Sequence, residues 1–170
     1  MQYCLIALDI DGTLANSQKE ISQRNINALA QAVSQGAQVA LVSGRPTPGI
    51  LPTAKAINMD KIGGFILSFN GAKIINYATG QVIYQNVLSA QDVQAICAEA
   101  QALGVAAITY SDQALYSTSA QNQYVQKEAT INKMPVVEVA DLAAATTFDT
   151  PKCLLLDHPE KLVEVEKYMK

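Results

Sequence analysis

Tryptophan is absent from the 170-residue sequence and phenylalanine occurs only three times, so no array of aromatic faces is available to stack nucleic-acid bases. Basic residues are not in excess. Twelve Lys and Arg against 15 Asp and Glu leave a formal charge of -3, without the electrostatic footprint of a nucleic-acid-binding protein. Cysteine is scarce and odd in number: Cys4, Cys97 and Cys153 form no CxxC or Cys/His cluster, which argues against a disulfide framework and against zinc. Each lies in apolar sequence and reads as a small, buried, reduced side chain. No apolar run approaches the roughly 20 residues of a membrane span, and no basic stretch with a signal core precedes the first strand. These absences predict a cytoplasmic protein with neither nucleic acid nor membrane as partner. The 49% hydrophobic content suits one ordinary domain, or one and a half small ones.

The chain is organised around Cys4-Leu5-Ile6-Ala7-Leu8-Asp9-Ile10-Asp11-Gly12-Thr13-Leu14. Residues 4–8 form a short apolar run that reads as a buried parallel strand. Asp9 and Asp11 follow at its carboxyl end, where open α/β sheets place ligands. Alternation points both carboxylates into one small space, where they repel unless a cation or a shared proton relieves them. Mg²⁺, a hard ion that takes oxygen ligands, is the usual partner. The plainer alternative is a turn whose aspartates cap the next segment.

Ser22 is an N-cap, and Ile26, Leu29, Ala30 and Val33 make an apolar stripe that ends at Gly36. Residues 38–42 form a second strand, completing a right-handed βαβ unit. It ends in Ser43-Gly44-Arg45, a hydroxyl and an unobstructed backbone N–H suited to a phosphate oxygen. Arg45 either touches substrate or braces the loop through a salt bridge. Residues 47–57 are helical, made irregular by Pro48, Gly49 and Pro52. A third strand over residues 65–68 runs into Asn70-Gly71.

Together, DxDGT behind a strand and SGR at the end of the next strand resemble the first two motifs of the haloacid dehalogenase-like (HAD) phosphohydrolases, and the Asn70-Gly71 turn resembles their Cof-like sugar-phosphatase branch. The resemblance implies Asp9 as nucleophile, forming an aspartyl-phosphate, and Asp11 as general acid/base. It implies Mg²⁺ on the Asp9 carboxylate and the Asp11 carbonyl, with phosphate held by Ser43 and the Ile10 and Gly44 backbones. Arg45, Asn70 and Gly71 would lie near the substrate, a small phosphorylated metabolite. The implied fold is α/β: the first half of a Rossmann-like core with a parallel sheet at residues 1–78, and a partial α+β cap at 79–170.

The predicted cap comprises a hairpin (72–77 and 82–86), a helix from Ser89 with Asp92 in a capping box, strands at 105–110 and 114–116, a helix at 121–129, strands at 136–139 and 152–156, and a helix from Pro159. The lysine and the late acidic motif expected after the cap find no match, so the sequence reads as truncated before them. Lys152 and Asp157 are the local candidates, but no Gly precedes Asp157, and both read as cap residues. His158, the single histidine, reads as a solvated turn. The expectation is weak Mg²⁺ affinity, weak or no phosphatase activity from this chain alone, and homo-oligomerisation that covers the apolar edge of the first strand. The rival expectation is a non-catalytic phosphate-binding or oligomeric remnant.

Overall fold

The apolar run before the first aspartate becomes β1 (Leu5–Asp9) in the computed structural model, which describes residues 4–169. β1 pairs in parallel with β2 (Gln38–Val42), with Asp9 opposite Val42. Between them runs α1 (Gln23–Ser34), whose first turn is closed by the Ser22 hydroxyl accepting the Asn25 N–H at 3.1 Å. Leu29 is buried, and Ile26 and Val33 pack on the same core. Ala30, predicted on that stripe, is exposed. The helix touches the sheet along a strip too narrow to reach it.

α2 (Thr47–Ala56) contains Pro52, which withholds an N–H from the Pro48 carbonyl, and the short α3 (Met59–Ile62) follows. β3 (Phe65–Ser68) pairs in parallel with β2. A 3-10 turn at Phe69–Gly71 then reverses the chain into β4 (Lys73–Asn76) and β5 (Val82–Gln85). The predicted hairpin forms, but it does not open the cap. β4 pairs antiparallel with β3, Ile75 enters the core, and the sheet runs β1-β2-β3-β4-β5. The chain therefore divides into Met1–Asn86 and Val87–Lys170, not at residue 78. The first core is built from Ile10, Leu41, Ile50, Ile57, Met59 and Ile66.

In the second unit, α4 (Ala90–Ala102) starts on the predicted capping box: Asp92 N–H to the Ser89 hydroxyl at 3.1 Å, Ser89 N–H to the Asp92 carboxylate at 3.2 Å. β6 (Ala106–Tyr110), β7 (Leu115–Ser117), α5 (Gln123–Asn132), β8 (Val136–Glu138), α6 (Leu142–Ala145), β9 (Cys153–Leu156) and α7 (Pro159–Met169) follow. The sheet order is β8-β7-β6-β9, antiparallel except between β7 and β8. Ala100, Val105, Ala107, Leu142 and Val165 form its buried cluster. α3 and α6 have four residues each, too few to show a helical period in sequence.

The three cysteines are unbridged but not all buried, which corrects the uniform expectation: Cys4 is exposed beside β1, and Cys97 and Cys153 are half-buried. Burial raises the Cys97 thiol, with Asp141 adding to it, and pushes Cys153 up to about 12, with Cys97 contributing. Among the described residues no helix is long and apolar enough to cross a membrane.

Candidate active site

Parallel pairing sets the geometry. Because Asp9 ends β1 opposite Val42, the chain leaves β2 at Ser43 alongside it, and Phe69–Gly71 leaves the next strand over. The candidate residues thus gather at the carboxyl ends of adjacent strands. Asp9 is exposed, and its Oδ2 accepts the Thr13 hydroxyl at 3.2 Å. The turn beyond it is closed by Leu14 N–H to the Asp9 carbonyl (3.1 Å) and Ala15 N–H to the Ile10 carbonyl (2.9 Å). Gly12 supplies the left-handed step at φ +79°. The Ile10 side chain is buried in the core, so its contribution to any ligand is its backbone.

Ser43 is buried, and its Oγ accepts the Arg45 N–H at 3.2 Å, which leaves the hydroxyl proton as the group it can donate. The two loops are stitched together: Asn70 N–H donates to the Ser43 carbonyl (3.1 Å), and Phe69 N–H to the Arg45 carbonyl (2.9 Å). Phe69 and Asn70 both adopt left-handed backbone, at φ +53° and +58°, and Gly71 follows at +91°. Such a non-glycine pair persists only where surrounding bonds hold it. Gly44 lies close under Asn70: a Cβ there would meet Asn70 Oδ1 at 2.7 Å and push that side chain aside.

Asp11 lies beyond the end of β1, in an isolated bridge to Ala15. Its carboxylate faces two cations: Arg45 Nε donates to Oδ2 at 2.9 Å, Arg45 Nη2 to Oδ1 at 2.7 Å, and Lys19 Nζ to Oδ1 at 2.6 Å. Of the two roles open to Arg45, the brace is the one formed. Burial pushes the Asp11 carboxyl up, but the hydrogen bonds from Lys19 and Arg45 outweigh it and hold the group below the ordinary carboxylate value of 3.8. A carboxyl lowered on folding adds stability that is complete above its unfolded value and disappears as pH falls through the folded one. Thermal melts should therefore show the first unit losing stability below about pH 4, and Asp11→Asn should flatten that acid limb.

The residues present do not complete a divalent-cation site. Among the described residues no group of three or more His, Cys, Asp or Glu is placed to hold a metal. Asp9 offers one carboxylate without a cationic partner, while that of Asp11 is engaged by nitrogen donors and would have to give them up to reach an ion. Lys152 and Asp157 are accounted for within the second unit. Lys152 Nζ lies 5.8 Å above the Tyr110 ring. Asp157 pairs with Lys161 at 2.8 Å and accepts the His158 N–H at 2.7 Å, so Lys161 first and the His158 backbone second hold its carboxyl below the usual range.

Two residues at the site were not singled out from sequence. Thr13 belongs to the DxDGT motif but had no assigned role. Lys19 gives no periodic or motif signal in its polar loop, and only the folded turn brings it to Asp11.

The model of the family described as haloacid dehalogenase-like hydrolase matches residues 6–170. A haloacid dehalogenase-like hydrolase of Bacteroides thetaiotaomicron superposes with a TM-score of 0.90 at 41% identity, over 99% of this chain and 63% of its own. The YxeH protein of Bacillus subtilis is 26% identical over 96% of this chain and 61% of its length. A HAD subclass IIB sugar phosphatase shares the fold with a TM-score of 0.73 at 22% identity, over 98% of this chain and 63% of its own. The chain spans about 60% of the length of the relatives it matches.

Proposed function

The chain belongs to the haloacid dehalogenase-like hydrolase family, and from that premise we propose that it carries the nucleophile part of a phosphohydrolase site for small phosphomonoesters, such as sugar or nucleotide phosphates. The observation that carries this reading is Asp9. Its carboxylate is exposed at the end of β1, accepts the neutral Thr13 hydroxyl, and lies in register with the residue before Ser43. In the proposed reaction an Asp9 oxygen attacks phosphorus and the ester oxygen leaves with a proton from Asp11. Asp11 then removes a proton from the water that hydrolyses the aspartyl-phosphate. Ser43 and the Ile10 and Gly44 backbones orient the phosphoryl oxygens, beside Arg45, Asn70 and Gly71.

Held by Arg45 and Lys19, Asp11 is a carboxylate, which suits the second step; protonating the leaving group requires it to leave those partners first. Mg²⁺ is general among the superfamily's phosphatases and would neutralise charge on the phosphoryl oxygens. With Asp9 and the Asp11 carbonyl as its partners among the described residues, its affinity should be low. The three unbridged thiols suit the cytoplasm.

The saturated Asp11 carboxylate favours one other reading, a phosphate-binding remnant without turnover. The experiment that separates them is hydrolysis of an aryl phosphate by this chain with Mg²⁺. Saturable turnover inhibited by orthophosphate supports the phosphohydrolase. Orthophosphate binding without turnover makes the chain a binding protein.

β1 supports a further part of the proposal, self-association. Among the described residues it pairs with β2 alone, and Leu5 is 54% exposed. An apolar edge of this kind templates another strand. Sedimentation at micromolar concentration should show dimers or larger species that Leu5→Lys reduces; a monomer would refute this part.

A further inference from the structure

We propose that the second unit carries a small-molecule site of its own, in the cavity between α4, the start of β6 and the turn into α6, and that it takes a small polyhydroxylated cation such as an amino sugar. The cavity lies wholly within Val87–Lys170 and stands independently of the Asp9 chemistry.

Its volume is about 700 Å³, within the roughly 300–1,000 Å³ of small-molecule pockets. Close packing leaves few voids larger than a water in a domain, so a hollow of this size needs a cause. The cause is alanine. Ala98 and Ala100 on α4, Ala106 and Ala107 on β6 and Ala143 on α6 line the walls, where longer side chains would close the space. The base of the cavity is firm, because Ala100, Val105, Ala107 and Leu142 belong to the buried cluster of this unit.

The polar groups on the lining decide what fits. Thr118 and Ser119 contribute hydroxyls and Asn122 an amide. Asn122 Oδ1 accepts the Tyr124 N–H at 2.9 Å, which leaves the Nδ2 hydrogens to donate. Ligand hydroxyls can donate to and accept from such a set, replacing the water that otherwise solvates it. An apolar ligand would strip that water and return no hydrogen bond.

Charge sets the sign of the ligand. Among the described residues that line the cavity there is no Lys, Arg or His, and its acidic side chains are Asp141 and Asp157. Asp157 is balanced by Lys161 at 2.8 Å, whose amine also donates to the Gly104 carbonyl at 2.7 Å. Asp141 has no cationic partner among the described residues. Its Oδ1 accepts the Ala144 N–H at 3.0 Å, and the second oxygen is left for a ligand. Burial, and then the Asp141 charge, raise the Cys97 thiol on the same wall. An ammonium is attracted by this field and a phosphate ester repelled, so the cavity is not a second phosphate site.

The test is a titration of the whole chain with glucosamine, below neutral pH so that its amine is protonated, followed through the backbone amide resonances. Ser119, Asn122, Asp141 and Ala143 should shift and saturate. Glucose, which lacks the charge, should bind about two- to fivefold more weakly, the strength of an exposed ion pair. Glucuronate, the anionic counterpart, should not saturate. Ala98→Phe fills the cavity from an exposed helix position and should abolish the shifts. Asp141→Asn keeps the cap of α6, since asparagine caps as well as aspartate, and should lower glucosamine to the affinity of glucose. The remaining amide resonances report that each variant is folded. Shifts absent from these four residues, or unchanged by Ala98→Phe, overturn the site. Glucosamine bound no better than glucuronate, or equally well by Asp141→Asn, overturns the cationic ligand class.

Discussion

Asp9→Asn should reduce whatever phosphomonoester hydrolysis the chain supports by at least about three orders of magnitude, with little change in thermal stability. The amide has nearly the shape of the carboxylate, and the Thr13 hydroxyl that donates to Oδ2 can donate equally to an amide oxygen. The bonds that shape the turn run through the Asp9 and Ile10 carbonyls and survive the change. What disappears is the negative oxygen able to attack phosphorus. Rates normalised to melting temperature check this; a variant within tenfold of the parent would mean that another group is the nucleophile.

Gly64→Ala should be the most damaging single methyl in the first unit, costing about 3 kcal/mol or more. Gly64 sits at φ +125°, and an added Cβ would lie 2.4 Å from the Val39 carbonyl and 2.9 Å from Met59 Cε. Val39 belongs to a central strand and is buried, as is Met59, so neither neighbour can retreat without disturbing the core. Gly80 is the control. It also has positive φ, +69°, but nothing lies within 4 Å of its added Cβ. Gly80→Ala should cost only about 1 kcal/mol, the backbone penalty alone. Denaturant midpoints would test the contrast, and equal losses for the two substitutions would contradict it.

Local chemistry made much of the fold legible. Ser22, the Ile26–Leu29–Val33 stripe and Gly36 announce α1, and Ser89 with Asp92 announces α4, because caps and periodicity are written within a few residues. Which sheet a strand joins is not local. The hairpin of β4 and β5 is visible from its turn, but its pairing with β3 depends on the reversal at Phe69–Gly71, where two non-glycine residues adopt positive φ.

The candidate site divides along the same line. Asp9, Ser43 and Asn70 sit at strand ends that a βαβ pattern marks in sequence. Lys19 does not: eight residues beyond Asp11 in a polar loop, it is brought there by a left-handed backbone step that lysine rarely takes. For the same reason the state of Asp11 was hidden. Two carboxylates at i and i+2 call for a cation, but not for one supplied by the chain itself.

The central claim, that Asp9 is the group phosphorylated in turnover, is tested most directly by trapping. The chain is incubated with an aryl phosphate and Mg²⁺ and quenched with borohydride, which reduces an acyl phosphate to the alcohol and converts aspartate to homoserine. Peptide mass mapping should then find homoserine at position 9 and unmodified aspartate at position 11. Phosphate release with Asp9 unreduced, or reduction at Asp11 instead, would contradict the account.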